Sequence, residues 1–172
     1  MMMNKISFRT WQHSDAQPLA AIANNRYVWN NLRDHLPNPY TVTDALQWIA
    51  HCKDQNPAIN FAVTFNGELA GSIGCVIKED VYRKNMEIGY FIGEKFLGKG
   101  IATEAVRLLL EYIQQHFDVV RVYAEVFEHN KASMKVLQKN GFYLECIRHK
   151  SVIKNNTLLN DYVWVKMLKN DL

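Results

Sequence analysis

Two glycines one residue apart, Gly98 and Gly100, lie between a short apolar stretch and an amphipathic one. Residues 86–93 are apolar and aromatic on both faces, which predicts a buried strand. From Ile101 to Ile113, apolar residues recur at helical spacing, which predicts a helix. Glycines at such a junction let a ligand approach the backbone, and the free amides and positive dipole of a helix start attract anions. The expected chemistry is the binding of a phosphate or pyrophosphate.

The same residues allow other interpretations of this turn. A Gly-x-Gly sequence between a strand and a helix is often only a tight turn. A P-loop fits poorly, because Gly100 stands where the motif that begins at Gly93 requires the Ser or Thr that binds Mg²⁺. The dinucleotide fingerprint requires a third small residue where Thr103 stands. Neither phosphate motif fits well, and the residues are also compatible with a simple tight turn.

A third pattern fits the turn better. Residues 97–102, Leu-Gly-Lys-Gly-Ile-Ala, resemble the acyl-CoA loop of the GNAT N-acetyltransferase superfamily, which usually reads Arg/Gln-x-x-Gly-x-Gly/Ala. Leu97 replaces the usual Arg or Gln. Glu-x-Gly-Tyr at 87–90, Asn-x-x-Ser at 130–133 and Gly-Phe at 141–142 look most like the branch with the RimJ/RimL-type protein N-terminal acetyltransferases. The resemblance covers nearly the whole chain, and the order and spacing of the blocks make it more specific than the loop alone.

The resemblance implies a single N-acetyltransferase domain over residues 1–172. The fold is then of the α/β class, with a mixed, mostly antiparallel sheet of about seven strands and flanking helices. Acyl-CoA is held where two central parallel strands splay apart. Acetyl-CoA is the expected co-substrate, and the residues expected to bind it are Tyr90, Phe91, Ile92, Leu97, Gly98, Lys99, Gly100, Ile101, Ala102, Thr103 and Asn130.

Transfer of an acetyl group to an amine requires a base that removes the ammonium proton. Glu87 is the first choice, because an unpaired carboxylate would be costly in a strand that is otherwise apolar. The alternative is that Glu87 pairs structurally with an Arg or Lys. Glu125 and His35 are the reserve candidates for the base.

The departing thiolate benefits from a proton donor. Many enzymes of the resembled family use a Tyr seven residues after the Asn that here is Asn130, but Leu137 occupies that position. The branch implies Ser133 as the substitute. The alternative for Ser133 is a helix-capping hydroxyl without a chemical role.

Residues 26–40 interrupt the helical periodicity with two prolines and several Asn, which predicts an irregular or short-helical segment. This segment is either a surface loop anchored by aromatic side chains or a lip that binds the acceptor amine. The side chains expected to contact the acceptor are Trp29, Asn31, Arg33, His35 and Tyr40.

The acceptor class follows from the resemblance and from the charge of this lip. A protein or peptide α-amine is the leading prediction. A small amine such as a polyamine, an amino acid or an aminoglycoside is the alternative, although a lip that is not strongly acidic disfavours a polyamine. A non-catalytic acyl-CoA-binding module is a third interpretation, given Leu97 and Leu137.

Composition excludes several other classes of function. The chain has 172 residues, 48% hydrophobic and 22% charged, with a formal net charge of +3 and no dense run of Lys or Arg, so no nucleic-acid partner is expected. The N-terminus has no signal-peptide pattern, and no apolar run approaches the ~20 residues that span a bilayer. Three widely spaced Cys are typical of a reduced, cytoplasmic protein, and the six His show no metal-ligand spacing. The sequence does not fix the oligomeric state, and a homodimer is one option.

Periodicity and turn residues predict the remaining elements. Asn66-Gly67 predicts a two-residue hairpin turn, Thr41-x-x-Asp44 a capping box, and Asn130 an N-cap. The strand at 159–167 has apolar residues on both faces and is expected inside the sheet. The predicted strands are 5–11, 59–65, 69–77, 86–93, 121–127, 142–149 and 159–167, with helices after residues 14, 41, 100 and 130.

Overall fold

The computed structural model describes residues 5–168. Its strands are β1 (Ile6–Arg9), β2 (Asn60–Phe65), β3 (Glu68–Ile77), β4 (Asn85–Ile92), β5 (Arg121–Phe127), β6 (Tyr143–Lys154) and β7 (Thr157–Met167). Its helices are α1 (Ala16–Ala23), α2 (Arg26–Asn30), α3 (Val42–Lys53), α4 (Ile101–His116) and α5 (Lys131–Lys139). The prediction about a signal peptide concerns in part residues 1–4, which lie outside the described residues, as do residues 169–172.

The seven strands form one sheet in the order β1-β2-β3-β4-β5-β7-β6. Every neighbouring pair is antiparallel except β4 and β5, which are parallel. The predicted fold class is therefore confirmed. The position of β7 between β5 and β6 also confirms the prediction of an internal strand.

The parallel ladder between β4 and β5 is short. It pairs Asn85–Glu87 with Arg121–Tyr123 and goes no further, although both strands continue. Beyond Glu87, β4 keeps its partner β3 on one edge and has no partner strand among residues 5–168 on the other. The two central strands therefore splay apart, and residues 88–92 present an unpaired edge.

Helices cover both faces of the sheet. Alternation in β1 places Phe8 against Tyr112 of α4, whereas Arg9 reaches Asp15 just before α1 at 2.7 Å. Tyr112 also packs edge-on against Phe61 of β2. Helix α4 packs on β1, β3 and β4, and α1 packs on α3 and β3. The helix that follows the glycine turn is thus fixed against the centre of the sheet.

The local signals of the sequence form the expected structures. Asn66 and Gly67 have φ of 51° and 86°, as a type I′ hairpin requires. Thr41 and Asp44 form the capping box of α3, and the Asn130 side chain accepts a hydrogen bond from the Ser133 amide. No helix within residues 5–168 is long and apolar enough to cross a bilayer.

The segment 26–40 begins with the five-residue helix α2, because the Asn25 side chain accepts hydrogen bonds from the amides of Tyr27 and Val28, which agrees with the predicted irregular or short-helical segment. Two element boundaries differ from the prediction. The last hairpin is longer than predicted at its turn: its strands extend to Lys154 and from Thr157, because Asn155 and Asn156 adopt φ of 50° and 58° and form a tight turn. Conversely, β1 covers only Ile6–Arg9 of the predicted 5–11.

Candidate active site

A cleft of about 320 Å³ opens where β4 and β5 separate. The end of β4, the glycine turn, the start of α4, α5 and α2 form its walls. Every residue predicted to bind acetyl-CoA lines this cleft except Lys99, whose ammonium lies 5.5 Å from the Phe65 ring centroid and 5.6 Å from that of Phe96. The fold therefore brings the predicted cofactor residues together.

The glycine turn presents unpaired donors to the cleft. Gly98 and Gly100 have φ of 74° and 76°, which side-chain-bearing residues rarely adopt. The amides of residues 98–103 have no acceptor within residues 5–168, and the first amide of α4 to bond back is that of Glu104, at 3.1 Å from the Gly100 carbonyl. A row of free N–H groups at the start of a 16-residue helix fits a pyrophosphate. The simple-turn interpretation does not account for the cleft in front of it.

Two lysines of α5 also line the cleft, and the motif-based analysis missed them. Lys135 and Lys139 lie four residues apart, with Lys131 one turn earlier, so the three share one helix face. The helix has no acidic residue. The i, i+4 spacing of the lysines was the available signal, and the charge suits the phosphates of a coenzyme A.

Ser133 lies on the cleft wall beside Tyr90. The Ser133 hydroxyl and the Tyr90 hydroxyl are 2.8 Å apart. Burial raises the pKa of Tyr90, with the hydrogen bond between the Tyr90 and Ser133 hydroxyls as a smaller opposing effect, so the phenol stays protonated at neutral pH. The Asn130 side chain supplies the N-cap of α5, so the Ser133 hydroxyl is left to face Tyr90 and the cleft.

Glu87 is held by cations on the sheet face opposite Tyr90. One carboxylate oxygen accepts a hydrogen bond from Arg33, and the other accepts one from Lys78 at 2.8 Å. Burial raises the pKa of Glu87, but the hydrogen bond from Lys78 and the charge of Arg33 outweigh it and leave the pKa lowered. This is the pairing that the sequence left open as the alternative, and the role of Glu87 as a base stays a prediction.

The same guanidinium holds Glu125, the reserve candidate for the base. Arg33 donates to Glu125 at 2.8 Å, and Arg148 donates to its other oxygen. Arg148 also lies 3.6 Å from Asp161, a residue that the sequence analysis missed. Asp161 is 2% exposed, and its burial, together with the charge of Glu125, raises its pKa. Glu87 and Glu125 do not line the cleft.

The predicted acceptor residues do not form one surface. Trp29 donates its indole N–H to the Leu36 carbonyl at 3.1 Å and packs its ring on Lys154. Tyr40 is 6% exposed, lies in the core and has a pKa raised to about 12 by burial, so the structure gives it a packing position instead of a place on the lip. His35 is exposed and does not line the cleft, and Arg33 pairs with Glu87 and Glu125. Only Asn31 faces the cleft.

A second cavity of about 500 Å³ adjoins the cleft. Four asparagines line it, so we call it the asparagine pocket. It shares four lining residues with the cleft, namely Tyr27, Asn31, Asn130 and Ala132. Its other lining residues are Asn30, His129, Lys131, Lys154, Asn155, Thr157 and Leu159. The two cavities therefore meet beside α2 and the start of α5.

The buried cysteines Cys52 and Cys75 line neither cavity. Burial raises the pKa of Cys52 and of Cys75 to about 12, so both thiols are protonated at neutral pH. No group of three His, Cys, Asp or Glu side chains within residues 5–168 is arranged to hold a metal ion.

Sequence comparisons identify the family. Residues 5–143 match the family described as the Acetyltransferase (GNAT) domain. YdaF of Bacillus subtilis (strain 168), named as a ribosomal N-acetyltransferase, is 30% identical over 96% of this chain and 92% of its own length. YjcK of the same organism, named as an N-acetyltransferase, is 42% identical over 49% of this chain, and the match spans only 46% of YjcK. Spermidine N(1)-acetyltransferase of Escherichia coli (strain K12) is 26% identical over 83% of this chain and 75% of its own length.

A solved structure has the same fold. RimL, a ribosomal L7/L12 alpha-N-protein acetyltransferase in complex with coenzyme A, superposes with a TM-score of 0.83 over 96% of both chains. Its sequence identity of 18% limits this likeness to the fold. The family match and the full-length relative carry the assignment further: the chain belongs to the GNAT family of N-acetyltransferases, acyltransferases that use acetyl-CoA as co-substrate.

Proposed function

We propose that this acetyltransferase acetylates the α-amine of a protein or peptide N-terminus, with the asparagine pocket as the acceptor site. The observation that carries the proposal is the continuity of the two cavities. Asn31 and Asn130 line both, so a donor held in the cleft and an amine held in the pocket meet at these residues. The pocket is open, and nine of its eleven lining residues carry a polar side chain, which suits a peptide backbone better than a compact apolar substrate.

The cleft holds the cofactor by groups already in place. The amides of residues 98–103 bind the pyrophosphate, and Lys135 and Lys139 supply positive charge near it. The unpaired edge of β4 at 88–92 is free to bond the amide groups of pantetheine, as a strand edge does. Bound acetyl-CoA supplies the activated acetyl thioester.

Two groups of side chains handle the protons. Ser133 is assigned to the sulfur of the leaving group as hydrogen-bond donor, with the Tyr90 hydroxyl holding it in place. Glu87, with Glu125 beside it, is the proposed base for the ammonium of the acceptor; since neither carboxylate lines the cleft or the asparagine pocket, the proton reaches Glu87 through a chain of water and not by direct contact. Because the pKa of Glu87 is lowered, Glu87 is a weak base, and its contribution falls at the low end of the range for general bases.

A small amine is the second candidate. The similarity to a spermidine acetyltransferase favours it, whereas the lysines of the asparagine pocket disfavour a polycation. The third interpretation of the sequence, a non-catalytic module, is disfavoured by the family assignment, although Leu97 and Leu137 replace residues usual in the family.

Thiol release from acetyl-CoA tests the proposal. Short peptides that differ in their first residue are compared with the same peptides blocked at the α-amine, and with spermidine and free amino acids. We expect turnover of unblocked peptides and none of blocked ones. Faster turnover of spermidine or of amino acids than of every peptide would contradict the acceptor class. Binding of acetyl-CoA without turnover of any amine would support the module.

A further inference from the structure

The charged residues that line the asparagine pocket are all basic. Lys131 and Lys154 line it, and no Asp or Glu does. Lys154 is 3% exposed, its ammonium lies 3.4 Å from the Trp29 ring centroid, and it donates to Asp34 at 2.6 Å. Asp34 therefore offsets the charge of Lys154 from outside the lining.

Lys131 has no such counterion. It forms no ion pair within residues 5–168, and its ammonium lies 5.0 Å from the Tyr162 ring centroid. An exposed ammonium at the mouth of a cavity is free to pair with a carboxylate of a ligand, and it repels a second ammonium.

Asn31 adds an acceptor without a donor where the two cavities meet. Its Oδ1 is buried and has no hydrogen-bond partner within the described residues. Its Nδ2 donates to the Tyr27 carbonyl at 2.9 Å, which fixes the orientation of the amide. A buried acceptor left unpaired is costly, so a ligand N–H placed there is stabilised. A primary amine supplies such an N–H.

We propose that the asparagine pocket selects a peptide N-terminus with an acidic side chain close to the amine. The amine N–H pairs with Asn31 Oδ1, and the acidic side chain pairs with Lys131. This inference rests on the proposed function and specifies its substrate class. It also predicts, by charge, that a polyamine is a poorer acceptor for this chain than an acidic peptide, in contrast to the spermidine-acetylating relative.

Matched peptides test the selection. Three peptides with the same first residue and with Asp, Asn or Lys at the second are compared by kcat/KM at saturating acetyl-CoA. We expect the order Asp, Asn, Lys, with about fivefold between successive peptides, the size of a partly exposed charge pair. Lys131→Met should remove the preference and Lys131→Glu should invert it. Lys53→Met, which changes an exposed lysine at the end of α3 by the same charge, should keep it.

The outcomes separate this inference from the proposed function. Peptide turnover without a preference, or a preference that Lys131→Met leaves intact, overturns the inference and leaves the function standing. Free aspartate acetylated faster than all three peptides overturns the peptide class. If no peptide is acetylated, the proposed function fails, and calorimetric titration of the three peptides into the protein saturated with coenzyme A decides the inference. Tighter binding of the Asp peptide that Lys131→Met abolishes supports it, and equal binding overturns it.

Discussion

The cofactor side and the acceptor side of this protein are built from different materials. On the cofactor side, the groups available for binding are the backbone amides of residues 98–103 and an unpaired strand edge, and side chains add charge. On the acceptor side, the segment 26–40 depends on side chains from distant strands: Arg33 on Glu87 and Glu125, and Trp29 on Lys154. One half is specified locally, the other by contacts between residues far apart in the sequence.

This difference has a consequence for substitution. A backbone site fails when the local conformation is lost, and it tolerates most changes of side chain that keep that conformation. A site made of long-range side-chain pairs changes its specificity residue by residue. Relatives with a common cofactor and different acceptors are expected from such a division, and the ribosomal and spermidine enzymes among the relatives are named for different acceptors.

The largest expected effect tests the backbone half. Gly100→Val should weaken acetyl-CoA binding by more than ~100-fold, because a β-branched residue cannot hold φ of 76° and two or more charge-assisted hydrogen bonds to the pyrophosphate are lost. Calorimetry with acetyl-CoA measures this. Gly67→Val is the matched control, since Gly67 has φ of 86° with equally open surroundings and does not line the cleft. Equal loss of affinity in both variants would attribute the effect to strain alone.

The same division decides how much the sequence could predict. The glycine turn, its helix and the flanking strand were predictable, because each depends on residues within about 30 positions and on the resembled motif. Every predicted cofactor residue except Lys99 lines the cleft. Tyr40 shows the limit: an aromatic beside two prolines has the same local pattern whether it lies on a lip or in the core, and only tertiary packing places it at 6% exposure.

The acceptor half was less predictable for a related reason. Lys154 and Asn155 reach the asparagine pocket from the far end of the β6–β7 hairpin, more than 120 positions from α2. Nothing in the local pattern of either segment indicates that contact. Asp161 was missed likewise, because its importance comes from burial and from Glu125, which lies on the neighbouring strand.

The second prediction concerns the base on the acceptor side. Glu87→Gln should lower kcat/KM by roughly 10²-fold near neutral pH. The kcat/KM of the variant should partly recover as the pH rises, because a deprotonated amine does not need the base. A pH profile of kcat/KM measures it. Lys78→Met is the control, because it loosens the same carboxylate without removing it. A profile of normal shape in Glu87→Gln would assign Glu87 to pairing alone and turn attention to Glu125, His35 or a water chain.

The third prediction links a strand residue to the chemistry of the cleft. Ser133→Ala and Tyr90→Phe should each lower kcat by about tenfold with little change in the acidic limb of the pH profile, because both act on the thiolate. The double variant should lose hardly more than either single one, since the two hydroxyls share one hydrogen bond. Steady-state kinetics of the four proteins completes the cycle. Additive losses would separate Tyr90 from Ser133, and full activity of Ser133→Ala would leave Ser133 without a chemical role.

A fourth, smaller effect distinguishes Trp29, which contacts the asparagine pocket through Lys154, from Tyr40, which lies in the core. Trp29→Ala should raise the KM for the acceptor several-fold and leave acetyl-CoA affinity alone, because it releases Lys154 at the asparagine pocket. Tyr40→Ala should instead lower the free energy of unfolding by about 3–5 kcal/mol, as for a large aromatic removed from a core. Kinetics and chemical denaturation distinguish the two. If Tyr40→Ala has normal stability and a raised KM for the acceptor, Tyr40 contacts the acceptor, as the sequence predicted.

The smallest effect is a pair of pH dependences with opposite sign on one face of the sheet. The pKa of Glu87 is lower in the folded protein, so the carboxylate stabilises the fold above its unfolded pKa, and that stability is lost as the pH falls through the folded pKa. The pKa of Asp161 is raised in the folded protein, so its contribution is present below the unfolded pKa and is lost as the pH rises through the folded pKa.

The free energy of unfolding, measured against pH for the wild type, Glu87→Gln and Asp161→Asn, separates these contributions. The deficit of Glu87→Gln, about 1–2 kcal/mol near neutral pH, should shrink on acidification, because the wild-type carboxylate is then protonated and has lost its pairing with Lys78 and Arg33. For Asp161→Asn, the free energy of unfolding should instead increase relative to that of the wild type as the pH rises, because the wild type must then hold a buried charge beside Glu125. A common sign for both variants would mean that the face titrates as one coupled cluster, in which Arg33 and Arg148 distribute charge among the three carboxylates.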